Sequence, residues 1–396
     1  MLKDKSEWRM RRNMLVPMFS KKAINDLTHS AVYPLIHKLC GLLDGFCERR
    51  QAVPLDSTMY CVTVDIITRY ISGKPWNMLD ELGLDTKRLE LIRWFTNGTN
   101  LVICFPWTRQ IALFLNKCFP RVVLGEYTQM KRAAQGIVRD AIEEDQRAKA
   151  DGRYPHGQKP KDVMDSLLNP DTTKGHTRPG FDDLVDDTML LTSGGGDTST
   201  NILQFTFYKL CKLPDARARV REELHTLKRD PITNRFDFLE VETLQFLTGF
   251  VKEILRHYYG ALRRQPRIVP KPGMKIPSTG TFLPAGTRIS CSIVEYHMDP
   301  RLFDSPREFR PERWMGESGK TLHRWLLSFG RGDRMCLGMH LGYREIYLVI
   351  AELLDRYEME LFDTTDRDMK MVDHFAVAPR GRMKVMLRSR DERSLS

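Results

Sequence analysis

No stretch of this sequence stays apolar long enough to cross a bilayer. The best candidate, Leu101-Val102-Ile103-Cys104-Phe105-Pro106, is broken by Pro106 and Arg109, well short of the ~20 residues that a spanning helix needs. The opening residues, Met1-Leu2-Lys3-Asp4-Lys5-Ser6-Glu7-Trp8, place no apolar run behind a basic segment, so neither a secretory leader nor a signal anchor is read there. The 8 cysteines, at 40, 47, 61, 104, 118, 211, 291 and 336, form no Cys-x-x-Cys pair. That excludes the common zinc and dithiol spacings, and without a leader the thiols read as reduced. Seven of them are expected to be buried core residues. Repeats and low-complexity tracts are also missing.

What is present is charge and a large apolar fraction. With 62 Lys+Arg against 51 Asp+Glu, the net charge of +11 admits nucleic acid, an acidic membrane surface or an acidic protein as partner. The basic residues are scattered, as in Arg11-Arg12, Arg217 to Arg221 and Arg263-Arg264, with no zinc-ligand spacing or aromatic RNA-binding pattern beside them. Nucleic acid is therefore not expected as a partner. At 396 residues and 41% apolar, the chain can bury a sizeable core.

The first three quarters read as helix, with apolar residues recurring at three and four, as in Ala31, Leu35, Leu39, Leu42 and Leu43. A polar, proline-containing connection runs from Lys149 to Pro179, interrupted by a short helix from Val163 to Leu168. A long apolar helix is expected over Phe181 to Leu213, closed by Pro214, then a charged one over Asp215 to Leu227. Strand-like pieces at Arg267-Ile268-Val269 and Gly280 to Ile289 suggest a small sheet. Pro306 to Phe329 reads as irregular, followed by a helix from Leu337 to Tyr357 and a last strand pair around His374 to Leu387.

The most informative segment is Ser328-Phe329-Gly330-Arg331-Gly332-Asp333-Arg334-Met335-Cys336-Leu337-Gly338, a cysteine between glycines at the mouth of an apolar helix. Cationic Arg334 and the positive end of the helix should favour the thiolate, the form that binds iron. Gly332 and Gly338 let backbone approach a flat cofactor and leave amides for the sulfur, while Phe329 can shield it from water. The bland alternative is a buried cysteine beside a glycine-rich turn. The Arg331-Gly332-Asp333 adhesion tripeptide has little use without a leader.

The pattern Phe-x-x-Gly-x-Arg-x-Cys-x-Gly is met at Phe329, Gly332, Arg334, Cys336 and Gly338, and here the chain resembles the cytochrome P450 family, whose haem-binding motif this is. Three other family elements occur in order. Glu253 and Arg256, three apart on a helix over Phe250 to Tyr258, resemble the Glu-x-x-Arg motif, and Phe309-Arg310-Pro311-Glu312-Arg313-Trp314 resembles the Pro-Glu-Arg segment. Arg313 would then join Glu253 and Arg256 in a buried structural triad that fixes the cysteine loop; the alternative is a surface salt bridge. In the long helix, Gly194, Gly195, Asp197, Thr198 and Ser199 match the oxygen-binding motif. Missing side chains and a widened turn would open a groove for dioxygen, with Thr198 and Asp197 relaying protons. A phosphate loop is disfavoured there because no Lys follows the glycines and no strand precedes them; close helix packing is the other reading. Trp8 and Arg12, one turn apart, resemble the family's C-helix, and both could reach a haem propionate, as could Arg334 and Arg267.

The resemblance implies a mainly α fold with small β-sheets (α+β): one cytochrome P450 domain over 1–396, N-terminally incomplete. The family's membrane anchor, first helices and first strands are not found before Trp8. It implies haem b (iron protoporphyrin IX) ligated by Cys336, and electrons from NADPH through NADPH-cytochrome P450 reductase. The expected reaction inserts one atom of O2 into an apolar substrate. Leu255-Arg256-His257-Tyr258-Tyr259-Gly260, His297-Met298-Asp299-Pro300 and Leu341-Gly342-Tyr343-Arg344-Glu345 look most like filamentous-fungal P450s of secondary metabolism, implying terpenoid or polyketide substrates. Substrate contacts are expected near Leu190, Leu191 and Ser193, at Gly260 to Leu262, and near Phe375 to Val377. The family normally sits on the cytosolic face of the endoplasmic reticulum. Alternatives are a haem-thiolate isomerase or dehydratase, and a truncated, non-catalytic fragment.

Overall fold

Thirteen helices and nine short strands occur along the residues that the computed structural model describes: 5–80, 125–151, 160–260, 265–374 and 376–390, with 105, 107, 108, 110, 111 and 114. The helices, in order, are α1 (Lys5–Leu15), α2 (Lys21–Leu27), α3 (Tyr33–Glu48), α4 (Leu55–Ser72), α5 (Gly125–Ala150), α6 (Val163–Leu168) and α7 (Phe181–Lys212). After them come α8 (Pro214–His225), α9 (Phe238–Val241), α10 (Gln245–His257), α11 (Ile293–His297), α12 (Gly316–His323) and α13 (Met339–Arg356). The expected helices over 163–168, 181–213, 215–227, 250–258 and 337–357 are all present.

Local chemistry sets many boundaries. The Ser20 hydroxyl accepts the Ala23 amide at the start of α2, and the Asp162 carboxylate accepts the Asp165 amide at 2.8 Å at the start of α6. Pro214 both closes α7 and opens α8, since its ring cannot continue one helix yet suits the first turn of the next. A π turn at Thr28–Val32 joins α2 to α3.

The core centres on α4 and α7, the most extensively packed pair of elements among the described residues. α4 is buried on nearly every face, as a helix must be when its neighbours surround it. α13 lies against α7, with Ile346, Leu348, Val349, Ile350 and Leu353 fully buried.

The strands depart from expectation. Arg267–Ile268 (β2) pairs with Arg288–Ile289 (β5), while Gly273–Lys275 (β3) pairs with Phe282–Pro284 (β4). The expected single small sheet is thus two separate two-stranded ladders. The expected last strand pair also divides. Met371–His374 (β7) and Ala376–Pro379 (β8) form a hairpin, whereas Lys384–Ser389 (β9) lies between Val53–Pro54 (β1) and Tyr357–Phe362 (β6) in an antiparallel sheet. The stretch read as irregular over 306–329 contains α12, whose Gly319 sits so close to the Trp314 carbonyl that a Cβ would lie 1.8 Å from the oxygen.

Among the described residues no helix is long and apolar enough to cross a membrane. The stretch 101–104 with Pro106 and Arg109, together with Cys104, Cys118 and Arg263-Arg264, lies outside them. The expectation of seven buried cysteines is corrected: Cys40 and Cys61 are buried, Cys47 and Cys211 half-buried, and Cys291 exposed on the loop between β5 and α11.

Candidate functional site

The cysteine loop is built by glycine. Gly330 and Gly332 have φ of 71° and 72°, the left-handed region that L side chains rarely adopt. The turn they allow is closed by the Cys336 amide donating to the Phe329 carbonyl at 2.8 Å and the Met335 amide donating to the Gly332 carbonyl at 2.9 Å. The Phe329 ring packs on Tyr343 with centroids 5.0 Å apart. Gly338 caps α13 with an ordinary φ of −84°, so its backbone conformation does not require glycine. Its contribution is the amide, which hydrogen-bonds the Cys336 sulfur.

The electrostatics of that sulfur correct the sequence reading. Cys336 is exposed as a residue, yet the protein packed around its sulfur pushes the thiol pKa up, against the pull of the Gly338 amide and the charge of Arg12. Arg334, expected to stabilise the thiolate, instead lies over the Trp8 indole with its guanidinium carbon 3.3 Å from the ring centre. Ionisation of this sulfur in water is opposed, whereas coordination of a metal cation would favour it.

The rim above the loop is cationic. Arg12 donates to the Met335 carbonyl at 2.8 Å and lies 5.9 Å from the centre of the Trp8 ring. Desolvation, then Arg267, then Arg12 lower the pKa of Arg334, with Asp333 acting the other way. Arg12, Arg267 and Arg334 therefore share one neighbourhood, and Trp8 joins them. Arg267 is exposed and donates to the Gln265 and Pro266 carbonyls, both at 3.2 Å.

On α7 the three glycines have different jobs. A Cβ on Gly194 would meet nothing within 4 Å, whereas one on Gly195 would lie 2.7 Å from Ile67 and one on Gly196 2.8 Å from Val64. Gly195, expected to line the cofactor groove, is corrected to a helix-packing position against α4, because successive residues on a helix point about 100° apart. Nor is there a widened turn: α7 is continuous α-helix through the glycines, and the Thr198 hydroxyl donates to the Gly194 carbonyl at 2.7 Å. The Asp197 carboxylate accepts from the Ser193 hydroxyl at 3.0 Å, and burial raises its pKa to about 6 against that bond. It can hold or release a proton near neutrality.

The triad forms as expected and is larger than expected. Arg256 donates to Glu253 through Nε at 3.0 Å and Nη2 at 2.8 Å, and Arg313 Nε donates at 3.1 Å. The Trp314 indole at 2.8 Å and the Arg310 amide at 2.9 Å add to it. Burial works to raise the Glu253 pKa, but the bonds from Arg256 and His257, the Arg256 charge and the Arg310 amide outweigh it and hold the carboxyl far below its ordinary value. The network reaches the cysteine loop: Ser328 donates to the Leu255 carbonyl at 2.5 Å, and the Leu327 amide donates to His297 Nε2 at 3.0 Å.

Of the expected substrate contacts, Leu190 is 70% exposed and Leu191 half-buried. The Gly260 carbonyl accepts the Val377 amide at 2.9 Å, bringing turn and hairpin together. The Val377 side chain is fully buried, and Leu262 and Phe375 lie outside the described residues. Several residues escaped the sequence reading. Buried Arg11 pairs with Asp187 and, at 3.5 Å, Asp183 of α7. Glu345 is buried on α13 and hydrogen-bonded to Ser199, and burial raises its pKa to about 8. Only tertiary packing singles these out, although Trp314 stood next to the recognised Arg313.

The site offers a sulfur ligand, a cluster of guanidiniums beside an indole, and a helix face with no side chain at Gly194. That combination suits a flat apolar ring bearing carboxylates and a central metal. Among the described residues no three His, Cys, Asp or Glu side chains gather to hold a bare metal ion. The cytochrome P450 family model matches residues 1–386. The chain is 31% identical over 388 residues to cytochrome P450 monooxygenase penB of Penicillium thymicola, covering 97% of this chain and 85% of that one. It is 32% identical over 384 residues to N-acetyltryptophan 6-hydroxylase ivoC of Emericella nidulans, covering 94% and 72%. The crystal structure of a cytochrome P450, CYP102L1, superposes with a TM-score of 0.79 at 19% identity, covering 98% of this chain and 83% of that one. With the cysteine loop, the Glu253 network and the α7 motif all in place, the chain belongs to the cytochrome P450 family of monooxygenases.

Proposed function

We propose that this protein is a haem-thiolate monooxygenase, reading 1–396 as one P450 domain that holds haem b through Cys336 and inserts one atom of O2 into an apolar organic substrate. Haem, when bound, supplies the oxygen activation and thiolate-assisted O–O cleavage. The polypeptide supplies the rest. Arg12, Arg334, Arg267 and Trp8 would hold the propionates, and the Gly338 amide would temper the sulfur's charge. Gly194 leaves room on the oxygen side. Asp197 would pass a proton from Ser193 and solvent toward the Thr198 hydroxyl, which must leave the Gly194 carbonyl to deliver it. Electrons would come from NADPH through a cytochrome P450 reductase, at the cytosolic face of the endoplasmic reticulum.

Terpenoids and polyketides are the substrate classes to which the fungal secondary-metabolism likeness points. The relatives named for 6-hydroxylation of N-acetyltryptophan and of tryptophan add indoles to the panel worth assaying. The observation that carries the reading is Cys336, presented by a left-handed glycine turn under a guanidinium cluster. Its test is the reduced, carbon monoxide-bound difference spectrum of the haem-supplied protein. The native chain should show thiolate-ligated absorption and Cys336→Ala should not; the same band in the alanine variant overturns the assignment.

A further inference from the structure

The oxygen-side turn of α7 is its least helical by composition, with Gly194, Gly195 and Gly196 in succession, yet it remains α-helical. Its packed face explains why. Val64 and Ile67 of α4 occupy the space that Cβ atoms on Gly196 and Gly195 would need. Between them α4 sends one polar group into the turn. The Thr63 hydroxyl, fully buried, lies 3.1 Å from the Gly196 carbonyl and 2.7 Å from the Thr200 hydroxyl, as well as 3.0 Å and 3.2 Å from the Met59 and Tyr60 carbonyls of its own helix.

One hydroxyl hydrogen cannot serve three carbonyls at once. If Thr200 donates to the Thr63 oxygen, the Thr63 proton is left for a carbonyl, and Gly196 supplies one that crosses between helices. The Gly196 carbonyl is also the intrahelical acceptor for the Thr200 amide. A second donor there ties the backbone of the glycine turn to α4. On the face bearing Gly194 and Thr198, nothing among the described residues lies within 4 Å of a Cβ placed on Gly194.

We infer that Thr63 is a positioning residue for Thr198: it clamps the packed face of the glycine turn, so that opening of the turn is confined to the face where the Thr198 hydroxyl rests on the Gly194 carbonyl. Its catalytic meaning rests on the monooxygenase reading, but the clamp itself does not.

The test is amide hydrogen exchange on the full chain, without and with added haem, for native protein, Thr63→Val and Thr63→Ser. Valine keeps the shape and removes the hydroxyl. Exchange at Thr198, Ser199 and Thr200 should accelerate at least tenfold in Thr63→Val and return to within threefold of native in Thr63→Ser. Exchange in α10 and over Leu203–Leu210 of α7 should be unchanged. In turnover, kcat should fall in Thr63→Val with KM held. No acceleration, acceleration spread equally over α7 and α10, or failure of serine to rescue overturns the clamp. Should Thr63→Val not fold, Thr63→Ala and Thr200→Val must give the same local pattern, and uniform loosening in them overturns it too. Loss of the Cys336 spectral result with the exchange pattern intact would instead bring down the monooxygenase reading alone.

Discussion

Replacing Glu253 should be among the most damaging single changes available in this chain. Its carboxylate is completely buried and receives five donors within 3.1 Å, two from Arg256 and one each from Arg313, Trp314 and the Arg310 amide, with His257 farther off at 3.5 Å. Each arginine keeps backbone partners, Arg256 at the His297 and Pro306 carbonyls and Arg313 at the Asp304 carbonyl, but none of these neutralises charge. Removing one member of a buried ion network costs about 3–5 kcal/mol. Glu253→Ala should therefore lose about 4 kcal/mol, and Glu253→Gln, which keeps part of the bonding, about 2–3 kcal/mol. Denaturation followed by tryptophan fluorescence is a direct assay, because Trp314 sits in the network. The pH dependence follows from the lowered pKa. The stabilisation is complete above the unfolded-state value of about 4.3 and is lost as pH falls through the folded value. The gap between native and Glu253→Gln should stay constant from pH 8 to 5 and narrow only below about pH 4. A loss under about 1 kcal/mol, the range of an exposed pair, would refute the buried-network account.

The three glycines of α7 should separate cleanly in melting experiments. Gly194→Ala should stabilise by about 1 kcal/mol through helix propensity alone, whereas Gly195→Ala and Gly196→Ala, which force a methyl into Ile67 or Val64, should destabilise by a net of about 1–2 kcal/mol; equal effects at all three would contradict the assignment of faces. Asp197→Asn should make the protein more stable at pH 8 and leave it unchanged at pH 4. A carboxyl whose folded pKa is raised to about 6 stabilises only while protonated and loses that contribution as pH rises through the folded value. Stability curves at the two pH values check the sign. Infrared difference spectra between native protein and Glu345→Gln should contain a protonated carboxyl band at pH 6 that fades above about pH 8; its absence at pH 6 would show the acid to be ionised. Arg12→Met should speed haem loss in a transfer assay to a haem acceptor while shifting the melting temperature little, since Arg12 bonds one carbonyl of an exposed loop; unchanged haem retention would remove it from the propionate cluster.

The parts of the site legible in the sequence are those where spacing alone sets geometry. Glu253 and Arg256 had to share a helix face, and a cysteine between glycines at a helix start had to sit in a tight turn. What resisted reading depends on neighbours distant in sequence. Three glycines in a row say that side chains are unwelcome, but not which face is pressed by α4 and which is open, so Gly195 was placed with Gly194. Ladders of two or three residues carry no alternation to read, which is why β2 to β5 merged into one expected sheet. Gly316 and Gly319 disguised α12, although the second is glycine because the Trp314 carbonyl presses on it. The burial of Glu345 and Arg11 has no local mark at all.

Arg11 and Arg12 illustrate how the charge of this chain is divided. Adjacent on α1, their side chains diverge by about 100°, and they meet opposite halves of the site: Arg11 pairs with Asp183 and Asp187 on α7, and Arg12 reaches the Met335 carbonyl beside the cysteine. The spacing between the oxygen-side helix and the sulfur loop is thereby referred to one short helix, while Leu255 and His297 brace the same loop from the Glu253 network. Arg11 is neutralised inside the protein by Asp183 and Asp187, and Arg256 and Arg313 share Glu253, so none of the three belongs to the rim. Arg12, Arg267 and Arg334 stand together beside the cysteine loop, and three guanidiniums held together raise one another's free energy until an anion joins them. A ring bearing two carboxylates would relieve that repulsion, and under the proposed reading the rim would supply binding energy for the cofactor.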